Sequence, residues 1–210
     1  MATKSKRAPR TKPKRAAKAK PKQKRVAARP RRAAAGAKRT TAATTRWAAA
    51  ARKPVAVAKA EMMIRRPVAD VFIAFVDPLI TSNFWFTKGS DRLHMGKTVR
   101  WEWEMYGFAV DIDVMRVDEN RRILIHWPGE RGPTRVEWTF TARPDNTTFV
   151  SITNSGFHGS DAEVVAQAIG MTEGFALVLA GAKAFLEQGL VLDLVADRFP
   201  DGLPTGRPSG

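Results

Sequence analysis

Between Val99 and Asn154 the chain alternates in character. Val99, Trp101, Trp103 and Met105 are interleaved with Arg100, Glu102, Glu104 and Tyr106, and Val110, Ile112 and Val114 with Asp111 and Asp113. Further on, Ile123, Ile125 and Trp127 follow Arg121-Arg122. Val136, Trp138 and Phe140 lie opposite Glu137, Thr139 and Thr141, and Val150, Ile152 and Asn154 opposite Ser151 and Thr153. A period of two sends successive side chains to opposite faces, so about five half-buried antiparallel strands are predicted. Gly107 and Pro144-Asp145-Asn146 mark turns between them.

After Gly156 the period changes. Ser160 and Glu163 form an S-x-x-E capping box, which supplies partners for two backbone groups at a helix start. Val164, Ala168, Met171, Phe175, Val178, Leu179, Ala182, Phe185 and Leu186 then recur at steps of three and four, and Gly189 stands where a C′ glycine ends a helix. The spacing predicts one long helix with an apolar face. Gly170, Gly174 and Gly181 inside it each cost about 1 kcal/mol relative to Ala; close packing is expected at Gly181 and a bend at Gly170 and Gly174.

Upstream, Val55 to Ile64 reads as a strand. Pro67 suits the first position of a helix whose face is Val68, Val71, Phe72 and Phe75, closed by Asp77-Pro78. Ile80 to Phe86, rich in aromatics, is a short second helix or a turn, and Lys88 to Gly96 a loop. Strands and helices are segregated, so the fold class is α+β: a curved antiparallel sheet wrapped on the long C-terminal helix. The domain is expected over residues 55–199, with a flexible C-terminus at 200–210.

Charge changes the picture at the N-terminus. Residues 1–54 hold 20 Lys and Arg and no Asp or Glu, whereas the remainder holds 16 Lys and Arg against 20 acids. The net charge of +16 therefore belongs to the tail. With Pro at 9, 13, 21 and 30 and almost no large apolar side chain, this segment is expected to be disordered. Its composition resembles the Lys/Ala/Pro-rich tails of linker histones and bacterial histone-like proteins. Lys12, Lys14, Arg15, Lys18, Lys20, Lys22, Lys24 and Arg25 are its candidate phosphate contacts. A transit peptide and a start placed too early are rival readings. High Lys and Pro with little Ser weigh against the first, and the strand at Val55–Ile64 against the second.

Cysteine is absent, which excludes disulfides, thiolate metal sites and a Cys nucleophile. No apolar run is read as reaching the roughly 18–20 residues that a membrane span needs. A cytoplasmic location is expected, with nucleoid association through the tail.

The motifs resemble a known family. Asp77-Pro78 followed by Phe84-Trp85-Phe86, Gly96 before the Trp-rich strand, Asn120 to Trp127, Glu137 to Phe140 and Val150 to Phe157 stand in order over residues 58–188. They resemble the START-like, or SRPBCC, superfamily, and within it the bacterial proteins similar to the C-terminal domain of the activator of heat shock protein 90 ATPase. Asn154 departs from the histidine common there. The resemblance implies a helix-grip fold with an apolar cavity between sheet and long helix. Lining that cavity, Trp101, Trp103, Trp127, Trp138, Phe175 and Leu179 are candidate ligand contacts, and Asn154 the candidate polar handle. Core packing is the competing reading of the tryptophans.

No catalytic, metal-binding or cofactor residues are assigned. His94, His126 and His158 fall on separate elements, and Glu102, Glu104, Asp111 and Asp113 alternate onto the solvent face. The expected partners are a hydrophobic small molecule, nucleic acid through the tail, and a chaperone or other protein. The alternative functions are a cyclase or hydrolase using the same cavity, and a nucleoid-associated protein driven by the tail.

Overall fold

The computed structural model describes residues 56–203. The basic tail, with Lys12 to Arg25, and the last residues of the chain lie outside the described region. In chain order the elements are β1 (Ala58–Ile64), α1 (Val68–Val76), α2 (Pro78–Thr81), β2 (Lys88–Gly89), β3 (Thr98–Trp103), β4 (Phe108–Asp118), β5 (Arg122–Trp127), β6 (Thr134–Ala142), β7 (Thr148–Ser155), α3 (Asp161–Gln188) and α4 (Leu194–Asp197).

The seven strands form one antiparallel sheet in the order β1-β7-β6-β5-β4-β3-β2. Strands β3, β5, β6 and β7 keep the predicted alternation. The inward residues Val99, Trp101, Ile123, Ile125, Val136, Trp138, Val150 and Ile152 are all buried. The outward face carries paired charges: Arg100 meets Glu102 and Asp111, and Glu137 meets Arg122 and Arg135. The pairs that cross between strands, Arg100 with Asp111 and Arg122 with Glu137, favour this register while keeping that face wet.

The first described strand is Ala58–Ile64, and Val55 lies outside the described residues. Two further strands differ for local reasons. The third ends at Trp103, because Glu104–Tyr106 tighten into a 3-10 turn that Gly107 closes at φ 59°, and this leaves Met105 exposed. The segment expected as loop after Phe86 contributes β2, tied in by Thr87, whose N–H and hydroxyl both donate to the Glu102 carbonyl at 2.9 and 2.8 Å.

Helix α3 starts on the expected capping box at Ser160 and Glu163 and stops at Gly189, φ 71°. It is the one described helix long and apolar enough to cross a membrane. Its buried side, Phe175, Val178, Leu179 and Ala182, belongs to the core shared with the sheet. It also covers the edge of β1. The Lys59 N–H donates to Thr172 Oγ1 at 3.2 Å, the Arg65 N–H donates to Glu187 Oε1 at 2.7 Å, and Lys183 Nζ donates to the Met63 carbonyl at 2.8 Å. Gly181 is a close approach, since a Cβ there would lie 3.1 Å from Phe84 Cβ and 3.2 Å from its carbonyl oxygen. Gly174, in contrast, faces open space, and α3 runs unbroken through it.

Candidate ligand site on the inner face of the sheet

Alternation brings Trp101 and Trp103 of β3, Trp127 of β5 and Trp138 of β6 to the inner face, and α3 lays Phe175 and Leu179 over it. All six are buried. The Trp101 and Trp127 rings lie 5.9 Å apart, Trp103 and Trp127 6.0 Å, and Trp138 and Phe175 6.3 Å. Such offset and edge contacts are the favoured arrangements of aromatic rings.

The centre of this group is a residue that the strand pattern does not reveal. Trp85, on the segment after α2, lies 4.8 Å from Trp101, 5.9 Å from Trp138, 6.3 Å from Trp127 and 6.4 Å from both Trp103 and Phe175. The rings expected to line open space therefore pack on a sixth. The available signal was three consecutive aromatics at Phe84–Phe86 in a segment with no strand or long-helix pattern. Loops rarely expose such a run, and here all three are buried.

The polar content of this interior is small and uneven. Asn154 on β7 is 1% exposed, and its Oδ1 has no hydrogen-bond partner within the protein. The same holds for the indole nitrogens of Trp127 and Trp138 and for Thr134 Oγ1. The register places these groups together. Asn154 stands opposite Val136, which is flanked on its own face by Thr134 and Trp138, and Thr134 stands opposite Trp127. Trp127, Thr134 and Asn154 thus lie toward one end of the inner face, and Trp138, opposite Ile123 and Ile152, lies nearer its middle. Buried polar atoms are nearly always paired, so a group of four without partners calls for a physical reason. Thr134 is a member that its sequence position does not disclose.

Above this end of the sheet the β5–β6 loop meets the start of α3. Arg131 forms two 3.0 Å hydrogen bonds with Glu163, whose Oε2 also accepts from the Ser160 N–H and hydroxyl, each at 2.7 Å. The Arg131 guanidinium, with Ser160 assisting, holds the Glu163 carboxyl down to about 2. Gly159, at φ 130°, passes beneath the pair, where a Cβ would lie 2.7 Å from Arg131 Nη1. His158 sits beside Gly132 in the same loop and is exposed.

Among the described residues, the buried polar ones are Thr81, Thr134, Thr148 and Asn154, none of which titrates near neutrality. No group of three or more His, Asp or Glu side chains among the described residues could hold a metal ion. On the outside, an open apolar groove of about 520 Å³ runs between the chain at Ala56–Val57 and the face of α3 bearing Val165, Ile169 and Ala176.

The comparisons with known proteins agree with this fold. The sequence pattern of the family described as Activator of Hsp90 ATPase homolog 1-like protein matches residues 65–187. The chain belongs to that family. Among solved structures, it is similar to the protein SSP2350 from Staphylococcus saprophyticus, at 31% identity and TM-score 0.57, over 65% of this chain and 95% of that one. The Aha1 dimer from Colwellia psychrerythraea matches at 20% identity and TM-score 0.54, over 63% and 97%. DynU16, from the dynemicin biosynthetic locus, matches at 19% identity and TM-score 0.56, over 74% and 65%. At such identities the last two show the fold alone. No curated protein matches the chain. As a member of the Activator of Hsp90 ATPase homolog 1-like family, it carries the START-like, helix-grip architecture, with the matched region running from the end of β1 through nearly all of α3.

Proposed function

We propose that this domain binds a hydrophobic small molecule bearing a hydrogen-bonding oxygen, on the inner face of the sheet beneath α3. The observation that carries the reading is the set of four unpartnered polar atoms, on Trp127, Thr134, Trp138 and Asn154, on an otherwise apolar inner face. A ligand oxygen accepts from the indoles, and a ligand hydroxyl donates to Asn154 Oδ1. Trp101, Trp103 and Phe175 supply the apolar contact, and Leu179 packs in the same core. The inward polar groups are neutral donors and acceptors. They suit recognition, and they offer no acid–base pair for a cyclase or hydrolase.

The test is titration of the full chain with oxygen-bearing aromatic compounds, followed by Trp fluorescence and melting temperature. Binding quenches the interior tryptophans and raises Tm with ligand concentration. Replacing Asn154 with Leu weakens an oxygen-bearing ligand by about 1–3 kcal/mol, the cost of leaving its polar group unpaired. Equal affinity for the wild type and N154L would remove the polar handle.

The first 54 residues add a second activity in this reading. Twenty positive charges without one acid favour phosphate backbones of any sequence. The ligand domain is thereby held near nucleic acid, with Lys12 to Arg25 among the contacts.

A further inference from the structure

Trp85 has no part in the ligand contacts just described, yet it sits among them. Its indole stacks on Trp127, with ring planes 18° apart, and lies 5.9 Å from Trp138. These are the two sheet tryptophans whose indole N–H groups lack an acceptor. An indole carries one N–H donor and no acceptor, so the ring that fills the centre cannot satisfy either of them. Trp85 matches the site in shape and fails it in hydrogen bonding.

We propose that Trp85 is a displaceable internal plug holding the place of a flat aromatic ligand, and that the ligand displacing it is a fused-ring aromatic carrying a hydroxyl group. The proposal rests on the ligand-binding reading above and names its ligand class and its control. The flat shape follows from what leaves, a planar bicyclic ring stacked on Trp127 and bordered by Trp101, Trp138, Trp103 and Phe175. The hydroxyl follows from what stays behind. One hydroxyl oxygen accepts from an indole N–H while its proton goes to Asn154 Oδ1, and Thr134 Oγ1 can serve in either sense. A bare hydrocarbon would fill the same space and leave all four groups unpaired.

The backbone bearing Trp85 is held, its own N–H donating to the Thr81 carbonyl at 3.1 Å, so the indole leaves by side-chain rotation. Thr81 Oγ1 donates to the Ala74 carbonyl at 2.7 Å, and Thr87 Oγ1 donates to the Glu102 carbonyl at 2.8 Å. Beside the intervening residues lies a crevice of about 70 Å³, closed on its far side by α4 at Leu194–Ala196. The crevice gives the indole a direction in which to leave. α4 is itself held by the Tyr106 hydroxyl, which donates to the Val195 and Ala196 carbonyls. Because ligand enters only molecules with the plug out, apparent affinity is lowered by the fraction so populated.

The experiment compares naphthalene with 2-naphthol on the full chain, as wild type, Trp85→Ala and Trp85→Leu, by calorimetric titration. Trp85→Ala is expected to bind 2-naphthol at least tenfold tighter than wild type does, and at least tenfold tighter than it binds naphthalene. Wild type binding 2-naphthol as tightly as the variant overturns the plug while leaving the ligand reading in place. Equal affinities of the variant for the two probes overturn the hydroxyl preference, and with it the polar site. No binding of either probe to a variant that melts cooperatively overturns both. Should both variants fail to fold, 5-fluorotryptophan-labelled wild type decides by fluorine NMR. Saturation with 2-naphthol moves the Trp85 resonance, the one absent from Trp85→Phe, to a solvent-exposed shift. A Trp85 resonance that stays buried overturns the plug.

Discussion

Arg131 and Glu163 face each other as a bidentate pair, Nη1 to Oε2 and Nη2 to Oε1, both at 3.0 Å. The pair joins the β5–β6 loop to the first turn of α3, so it fastens the rim above Trp127, Thr134 and Asn154. Both side chains are about half exposed, and salt screens them. Their contribution is best read through pH.

The Glu163 carboxyl is held at about 2 in the folded chain, against an ordinary value of 4.5. A lowered folded value means stability that is complete above 4.5 and lost as pH falls toward 2. Glu163→Gln keeps the capping geometry and removes the charge. The wild type is expected to melt above this variant at pH 7, and the gap to close as pH falls through that window. A constant gap across a series of melts would show that the pair contributes nothing. Gly159→Ala is expected to lower Tm at every pH, because φ 130° strains any residue with a Cβ and the added methyl group would push the Arg131 and Glu163 side-chain ends aside.

The two glycines of α3 predict different outcomes for one substitution. Gly174→Ala adds a methyl group in open space and gains helix propensity, so stability rises by about 1 kcal/mol. Gly181→Ala gains the same propensity but pushes on the Phe84 backbone oxygen at 3.2 Å. Overpacking of that kind costs roughly 1–3 kcal/mol, so the gain seen at Gly174 is cancelled or reversed, by up to about 2 kcal/mol. Urea unfolding of the two variants, compared at the midpoint, checks the signs.

Asn154 sets stability against binding. Its buried Oδ1 lacks a partner, and Leu fills similar volume without a polar atom. Asn154→Leu is therefore expected to gain about 1 kcal/mol or more, which for a domain of this size is roughly 2–4 °C in Tm. The same change weakens the oxygen-bearing ligand. A variant both less stable and ligand-free would show Asn154 to be a structural amide.

The tail predicts a salt dependence. The full chain is expected to bind double-stranded DNA without sequence preference, with log affinity falling linearly in log salt. Residues 55–210, with 16 cationic against 20 anionic side chains, are expected not to bind. Titration of both at two salt concentrations decides, and equal binding would remove the tail from the function.

Much of the fold was legible because a two-residue period and one burial constraint leave little freedom. Trp101, Trp138 and Ile152 could face only the core once Arg100, Glu137 and Ser151 took the water. Helix α3 was legible from its caps even though it is apolar on most sides, since Ser160, Glu163 and Gly189 mark its ends without reference to periodicity. The site was legible only as far as strands carry it. Asn154 and the four sheet tryptophans follow from alternation. Trp85 does not, because it arrives from a short segment whose direction is set by tertiary packing. Nor does the gathering of Thr134 with Asn154, which depends on the pairing of β6 with both neighbours. The groove at Val57, Val165 and Ile169 was hidden for a related reason: in a helix apolar on most sides, sequence does not say which stripe is covered.

The side chains that α3 lays along β1 have a consequence for how the molecule can meet others. Thr172, Lys183 and Glu187 take up backbone groups of Lys59, Met63 and Arg65 that an added strand would need. The opposite edge, β2, is two residues long. Neither border of the sheet offers a template for strand addition, so extended peptides gain no foothold there and copies of the domain cannot zip edge to edge. Crowding many copies along one polyanion through their tails would concentrate the domains without seeding a fibril.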